Sequence, residues 1–275
     1  MFNIFIVVWR ESLEAFLIVG ILLAALRKND AWLQGRKYLL VGIAGGVALA
    51  VILAVGIVYA QSELQGAALD HFQTFLIFVA AALVAHMCLW MKTHSREIKS
   101  SAEKAVKNSQ SNNSYWNVAF IAALAIGREG METVLFLYSS SLEALEDGTT
   151  APLIGGAFLG FFSAIVTGTL VSKGLQFIKY QHFFRISSTL LMLMAGGFVI
   201  QGTNRLIQAG LLPAIMNHTW DTSFILSDVS NTGKAVSMLT GYTSSPPLMV
   251  VLAYALFWAI YYVMILRHKY LTTQK

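Results

Sequence analysis

Residues 2–26 read FNIFIVVWRESLEAFLIVGILLAAL. A bilayer core of ~30 Å takes ~20 residues at helical rise, so this run is long enough to cross it. Its flanks are apolar, yet Arg10, Glu11 and Glu14 stand in its middle. A charge at that depth costs roughly 2.5–3.5 kcal/mol on insertion scales, so three of them need a partner or a function.

Six further runs of similar length occur at 38–60, 70–91, 116–141, 152–172, 184–212 and 247–266. Together with 2–26 they predict seven transmembrane helices in one domain covering 1–275. Strands of a membrane barrel would alternate apolar and polar residues over ~10 positions, which these runs do not. The expected fold is an all-α integral membrane protein. Composition agrees: 56% of residues are hydrophobic, 12% are charged and mean hydropathy is +0.64, about half the charge density of soluble domains.

The formal charge of +5 does not point to nucleic acid, because the basic residues are scattered through short connections instead of gathered on one face. With Cys88 as the one cysteine, neither an internal disulfide nor a thiol-rich metal site can form. The first nine residues lack Lys and Arg, whereas Arg27 and Lys28 follow the apolar run. That order is the reverse of a secretory signal, so the first helix is expected to be retained.

Loops 27–37, 92–115 and 172–185 and the tail after 266 hold fifteen of the nineteen Lys and Arg. Loops 61–69 and 142–151 hold none, and 213–246 holds only Lys234. The positive-inside rule then places the N-terminus outside and the C-terminus inside. Loop 92–115, rich in Lys, Ser and Asn, reads as a solvated linker. Loop 213–246, with Trp220, Pro246-Pro247, Gly233 and Gly241, reads as an ordered external cap. Gly42/Gly46 and Gly156/Gly160 have the spacing that lets membrane helices approach closely.

The fourth run repeats the pattern of the first: Arg10-Glu11-Ser12-Leu13-Glu14 is answered by Arg128-Glu129-Gly130-Met131-Glu132. On a helix the two carboxylates of each copy lie ~60° and ~4.5 Å apart, and the arginine stays within the same ~100° arc. Each copy begins roughly 8–12 residues into its span, near the bilayer midplane. Six such charges would cost roughly 15–20 kcal/mol facing lipid singly, so they must face one another. A purely structural ion-pair staple leaves two glutamates unneutralised, which calls for a cation or protons. Carboxylates favour hard cations, and oxygen ligands alone admit Fe(III), Mn(II), Ca(II) or Mg(II). Spans 1–3 and 4–6 run in opposite senses and form candidate inverted repeats, a frequent home of a midplane transport site, with the seventh span outside the repeat.

Two Arg-Glu-x-x-Glu copies in the first and fourth spans resemble the oxidase-dependent iron permease family, in its short bacterial form. The fourth-span copy matches the usual Arg-Glu-Gly-x-Glu form, and Ser12 stands in the first where Gly is usual. The likeness extends to Trp90-Met91, to Trp220-Asp221-Thr222-Ser223, and to Asp228, Ser230, Gly233 and Gly241-Tyr242. It implies a multi-pass permease of the bacterial cytoplasmic membrane that carries iron, with Glu11, Glu14, Glu129 and Glu132 as ligands and Arg10 and Arg128 supporting them. It implies iron as cargo instead of a resident cofactor, and a periplasmic ferroxidase or iron-binding protein as partner.

Two other readings compete. A proton-coupled carrier of Mn, Ca or Mg would use the same residues, and an intramembrane hydrolase would need a nucleophile, phosphate donors or zinc ligands that the spacing does not offer. The external acidic residues Glu63, Asp70, Glu143, Glu146, Asp147, Asp221 and Asp228 could concentrate cations. Glu143, Glu146, Asp147, Asp221 and Asp228 are the candidates for iron capture. His71, His86, Met192 and Met194 are expected to serve packing.

Overall fold

The computed structural model describes residues 2–111, 114–146, 151–172, 180–216, 218–228 and 230–273. It contains α1 (Phe2–Lys28), α2 (Trp32–Glu63), α3 (Ala67–Ser111), α4 (Trp116–Glu146), α5 (Ala151–Ser172), α6 (Tyr180–Gln208), α7 (Asn231–Thr240) and α8 (Leu248–Thr273). No strand occurs among the described residues. Seven helices are long, and α7 is a short helix in the connection between α6 and α8.

Five of the seven, α2, α3, α5, α6 and α8, contain stretches apolar enough to cross a membrane by composition alone. The expectation of seven such stretches is therefore met in helix number and length but not in apolarity. The exceptions, α1 and α4, are 27 and 31 residues long. They fall short because each carries an arginine and two glutamates in mid-helix. Ile52 on α2, Phe162 on α5 and Tyr262 on α8 are each more than half exposed, as faces covered by lipid would be.

Several boundaries differ from the sequence reading: α2 starts at Trp32 and not at 38, α4 runs on to Glu146 and α8 to Thr273, and two further ends have an identifiable cause. The stretch read as a linker over 92–115 continues α3 as far as Ser111. Residues 92–111 contain neither Gly nor Pro, and their Lys, Glu, Gln and Ala are strong helix formers, so polarity marked solvent and not a break. The far end is anchored: Val106 is fully buried with Leu22 and Leu26 of α1, Leu39 of α2 and Val118 of α4. Helix α6 stops at Gln208, short of the expected 212, where Gly210 takes φ 71° and Leu211 N donates to Leu206 O at 3.0 Å. That is the left-handed glycine cap that closes many helices.

The chain divides into two compact units, residues 1–63 with 91–183 and residues 64–90 with 184–275. In the first, α2 packs on α4 and α5 packs on α1. A Cβ added to Gly46 would lie 2.8 Å from Ala123 O, 2.7 Å from Ile126 Cβ and 2.7 Å from Gly127 N. One added to Gly160 would lie 2.7 Å from Phe5 O, 3.1 Å from Val8 Cβ and 3.0 Å from Trp9 N. Each α1 neighbour precedes its α4 counterpart by 118 positions, the displacement that separates Arg10 from Arg128. The two helix pairs are thus built alike, around glycines that let backbones touch, and the internal repeat extends from motif to packing.

In the second unit, Gly202 of α6 sits against the ring of Phe78 of α3, and Arg205 donates from Nη1 to Gln73 Oε1 at 2.9 Å. The 213–246 segment is ordered where described. Ser230 caps α7 by accepting from Gly233 N at 2.9 Å. Gly241 ends α7 at φ 72°, close against Gly197, where a side chain would fit neither the backbone nor the space. Tyr242 Oη bonds the Thr222 hydroxyl at 2.6 Å and donates to Leu226 O at 3.0 Å, tying the ends of the segment together.

Candidate functional site

On α1, Arg10 is fully buried and its guanidinium forks across both carboxylates of its own motif. Nη1 lies 3.0 Å from Glu11 Oε1, and Nη2 lies 2.8 Å from Glu14 Oε1. The helical repeat permits this: Glu14 and Glu11 follow ~40° and ~100° around the axis on the same side of Arg10, within reach of its long side chain. On α4, Arg128 Nε lies 3.0 Å from Glu132 Oε1. Its side chain is 31% exposed, so the second copy is the less enclosed of the two.

Packing of α1 on α4 brings the copies together. Carboxylate oxygens of Glu11, Glu14 and Glu129 all lie within 4.8 Å of one another, and all three residues are buried. Oxygens sharing one ion at ~2.0–2.5 Å stand no more than ~4–5 Å apart, so the triangle is the size one hard cation needs. Glu132, also buried, lies outside that triangle, with Oε1 held by Arg128. Glu11 Oε2, Glu129 Oε2 and Glu132 Oε2 are buried without a hydrogen-bond partner. Leaving such acceptors unsatisfied is costly, and a cation with its waters would satisfy them.

Groups beside the motifs are bonded as well, one across to α5 and one within α4. Trp9, beside Arg10, donates its indole N–H to Thr167 Oγ1 on α5 at 3.2 Å. Thr133 Oγ1 donates to Glu129 O at 2.7 Å, turning that hydroxyl back onto its own helix. Sequence reasoning missed the Trp9–Thr167 clamp, for which a tryptophan and a threonine 158 residues apart give no signal.

The candidate capture residues have separate fates. Asp228 accepts from Ser244 N at 2.9 Å and 3.0 Å and from Ser244 Oγ at 2.8 Å, which makes it a tie within the external segment. Asp221 is exposed and accepts from Ser223 N at 2.8 Å, and the Ser223 donors hold its carboxyl below the usual carboxylate range. It therefore stays anionic at any ordinary external pH. The side chains of Glu143 and Glu146, and Asp147 altogether, lie outside the described residues. Asp228→Ala should loosen the segment by roughly 1–3 kcal/mol, the cost of stranding the Ser244 donors. Limited proteolysis should then cut within 218–246 faster than in the wild type, and an unchanged cutting rate would remove this assignment.

His71 and His86 are exposed on α3, whereas Met192 and Met194 are buried in α6 as core filler. Cys88 is buried, with Sγ 3.6 Å from Ser188 O.

The family described as the iron permease FTR1 family matches residues 1–272. The chain is 28% identical over 265 residues to the ferrous iron permease EfeU of Yersinia pestis, covering 94% of this chain and 90% of that protein. It has the same identity over the same length to the ferrous iron permease EfeU of Escherichia coli O6:K15:H31, with 95% and 92% covered. Over 261 residues it is likewise 28% identical to the EfeU of Yersinia pseudotuberculosis, with 92% and 88% covered. No solved structure matches.

Proposed function

Because the chain belongs to the iron permease FTR1 family, we propose that it carries iron through a midplane carboxylate site built from its two Arg-Glu-x-x-Glu copies. It is a multi-pass protein of the cytoplasmic membrane and a transporter, not an enzyme. The observation that carries the reading is the meeting of Glu11, Glu14 and Glu129 oxygens within 4.8 Å, from two helices that are distant in sequence.

Glu11, Glu14 and Glu129 hold the ion, and Glu132 joins them as the fourth ligand when Arg128 releases it. Arg10 and Arg128 orient the carboxylates and limit their net charge. Helices α1–α3 and α4–α6 form repeats inverted about an axis in the membrane plane, and their rocking exposes the site to each side in turn. The shared Gly46 and Gly160 packing supports this reading, as does the N-out, C-in orientation expected from the loop charges. The relatives' name, ferrous iron permease, favours Fe(II) at the site; Fe(III), as a harder ion, suits the same oxygens. A periplasmic ferroxidase or iron-binding protein would deliver the ion.

Purified protein in vesicles should take up radiolabelled iron, and a tenfold excess of Mn(II) should leave most of that uptake intact. Complete suppression by Mn(II), with equal transport of Mn(II) itself, would replace the iron reading by a general divalent-cation carrier.

A further inference from the structure

Ser139 lies on α4, seven residues beyond Glu132. At ~100° and ~1.5 Å per residue it projects within ~20° of Glu132 and ~10 Å further along the helix. Its side chain is fully buried, and Oγ has no hydrogen-bond partner. Hydroxyls in membrane helices usually bond back to a carbonyl of the preceding turn. Nearby hydroxyls do so: Thr133 to Glu129 O at 2.7 Å, Ser141 to Tyr138 O at 2.7 Å, and Thr167 on α5 to Ser163 O at 2.7 Å. Ser139 Oγ makes no such bond, and it is enclosed within the protein at a position on the glutamate face of α4.

The repeat supplies the contrast. The α1 position that corresponds to Ser139, by the displacement relating the motifs, is Ile21. Ile21 packs on an apolar cluster in which Leu22, Leu26, Val118 and Ala122 are wholly buried. From the glutamates, the α1 direction leads into a buried apolar cluster, and the α4 direction leads to a buried hydroxyl. By the loop charges, the end of α4 that carries Ser139 faces outside.

The geometry points to Ser139 as a passage residue on the outer route, its hydroxyl receiving a partly hydrated hard cation before the glutamates take it. Resting on the iron-permease reading, this inference adds an approach subsite for iron and its water, and it makes the two halves of the repeat unequal. Oγ accepts from the ion's waters or faces the ion directly, replacing water lost on entry where lipid-like residues would give none.

The test separates passage from binding. Radiolabelled Fe(II) uptake into vesicles and equilibrium Fe(II) binding to the purified protein are measured, under anaerobic conditions, for wild type, Ser139→Ala, Ser139→Thr and Ser139→Ile. Ser139→Ala should lower uptake about tenfold, as expected for loss of one hydrogen bond to a charged species. Fe(II) binding should stay within about twofold, because the carboxylates are untouched. Ser139→Thr should restore uptake, and Ser139→Ile should reduce it to background while still binding Fe(II). Wild-type uptake by Ser139→Ala would overturn the inference. So would a parallel loss of uptake and binding in both Ser139→Ala and Ser139→Thr, which would mark a structural role. If wild type itself neither binds nor transports Fe(II), the permease reading fails first, and that outcome is distinct from the other two.

Discussion

Glu129→Gln is expected to reduce iron uptake by more than about 100-fold, because it turns the anionic carboxylate that α4 contributes to the triangle with Glu11 and Glu14 into a neutral amide. Even partners outside a metal's first shell are worth ~10–100-fold, so losing a direct carboxylate should exceed that range. The amide keeps the shape of the side chain but replaces an anionic oxygen by an N–H2 that a cation repels. The two carboxylates left on α1 are both bound to the Arg10 guanidinium and cannot enclose an ion alone. Glu132→Gln should be milder, since Glu132 stands outside the triangle on Arg128. Radiolabelled uptake at matched expression tests both, and Glu129→Gln activity within threefold of wild type would dismantle the site.

Much of this architecture is legible in the sequence. The motif copies, the seven long helices and the close-packing role of Gly42, Gly46 and Gly160 all follow from spacing, because a helix converts sequence intervals directly into faces. Local pattern failed where the outcome depended on something distant. The polar continuation of α3 looked like a loop, since its buried apolar anchor Val106 is recognisable only once α1, α2 and α4 surround it. Asp228 looked like an exposed ion trap because its partner, Ser244, comes sixteen residues later. The unequal environments of Arg10 and Arg128 were hidden for the same reason: identical motifs acquire different burial from the helices packed over them.

That inequality sets the second large effect. Arg10→Met should destabilise the protein by about 3–5 kcal/mol, the cost of leaving buried charge uncompensated, because both buried carboxylates, Glu11 and Glu14, lose the guanidinium they share. Arg128→Met should cost less, since its side chain is 31% exposed and its pair with Glu132 is less completely desolvated than the Arg10 fork. Arg10→Lys should not recover wild-type stability, because an ammonium on a single nitrogen cannot reproduce a fork that reaches two carboxylates from two nitrogens. Combining Arg10→Met with Glu14→Gln should return part of the loss by removing one of the stranded charges, at the expense of transport. Thermal unfolding in detergent, followed by loss of helical circular dichroism, ranks the four variants. Equal sensitivity at Arg10 and Arg128 would show that the two motif copies are equivalent, and that burial does not distinguish the arginine that holds the site from the one that opens it.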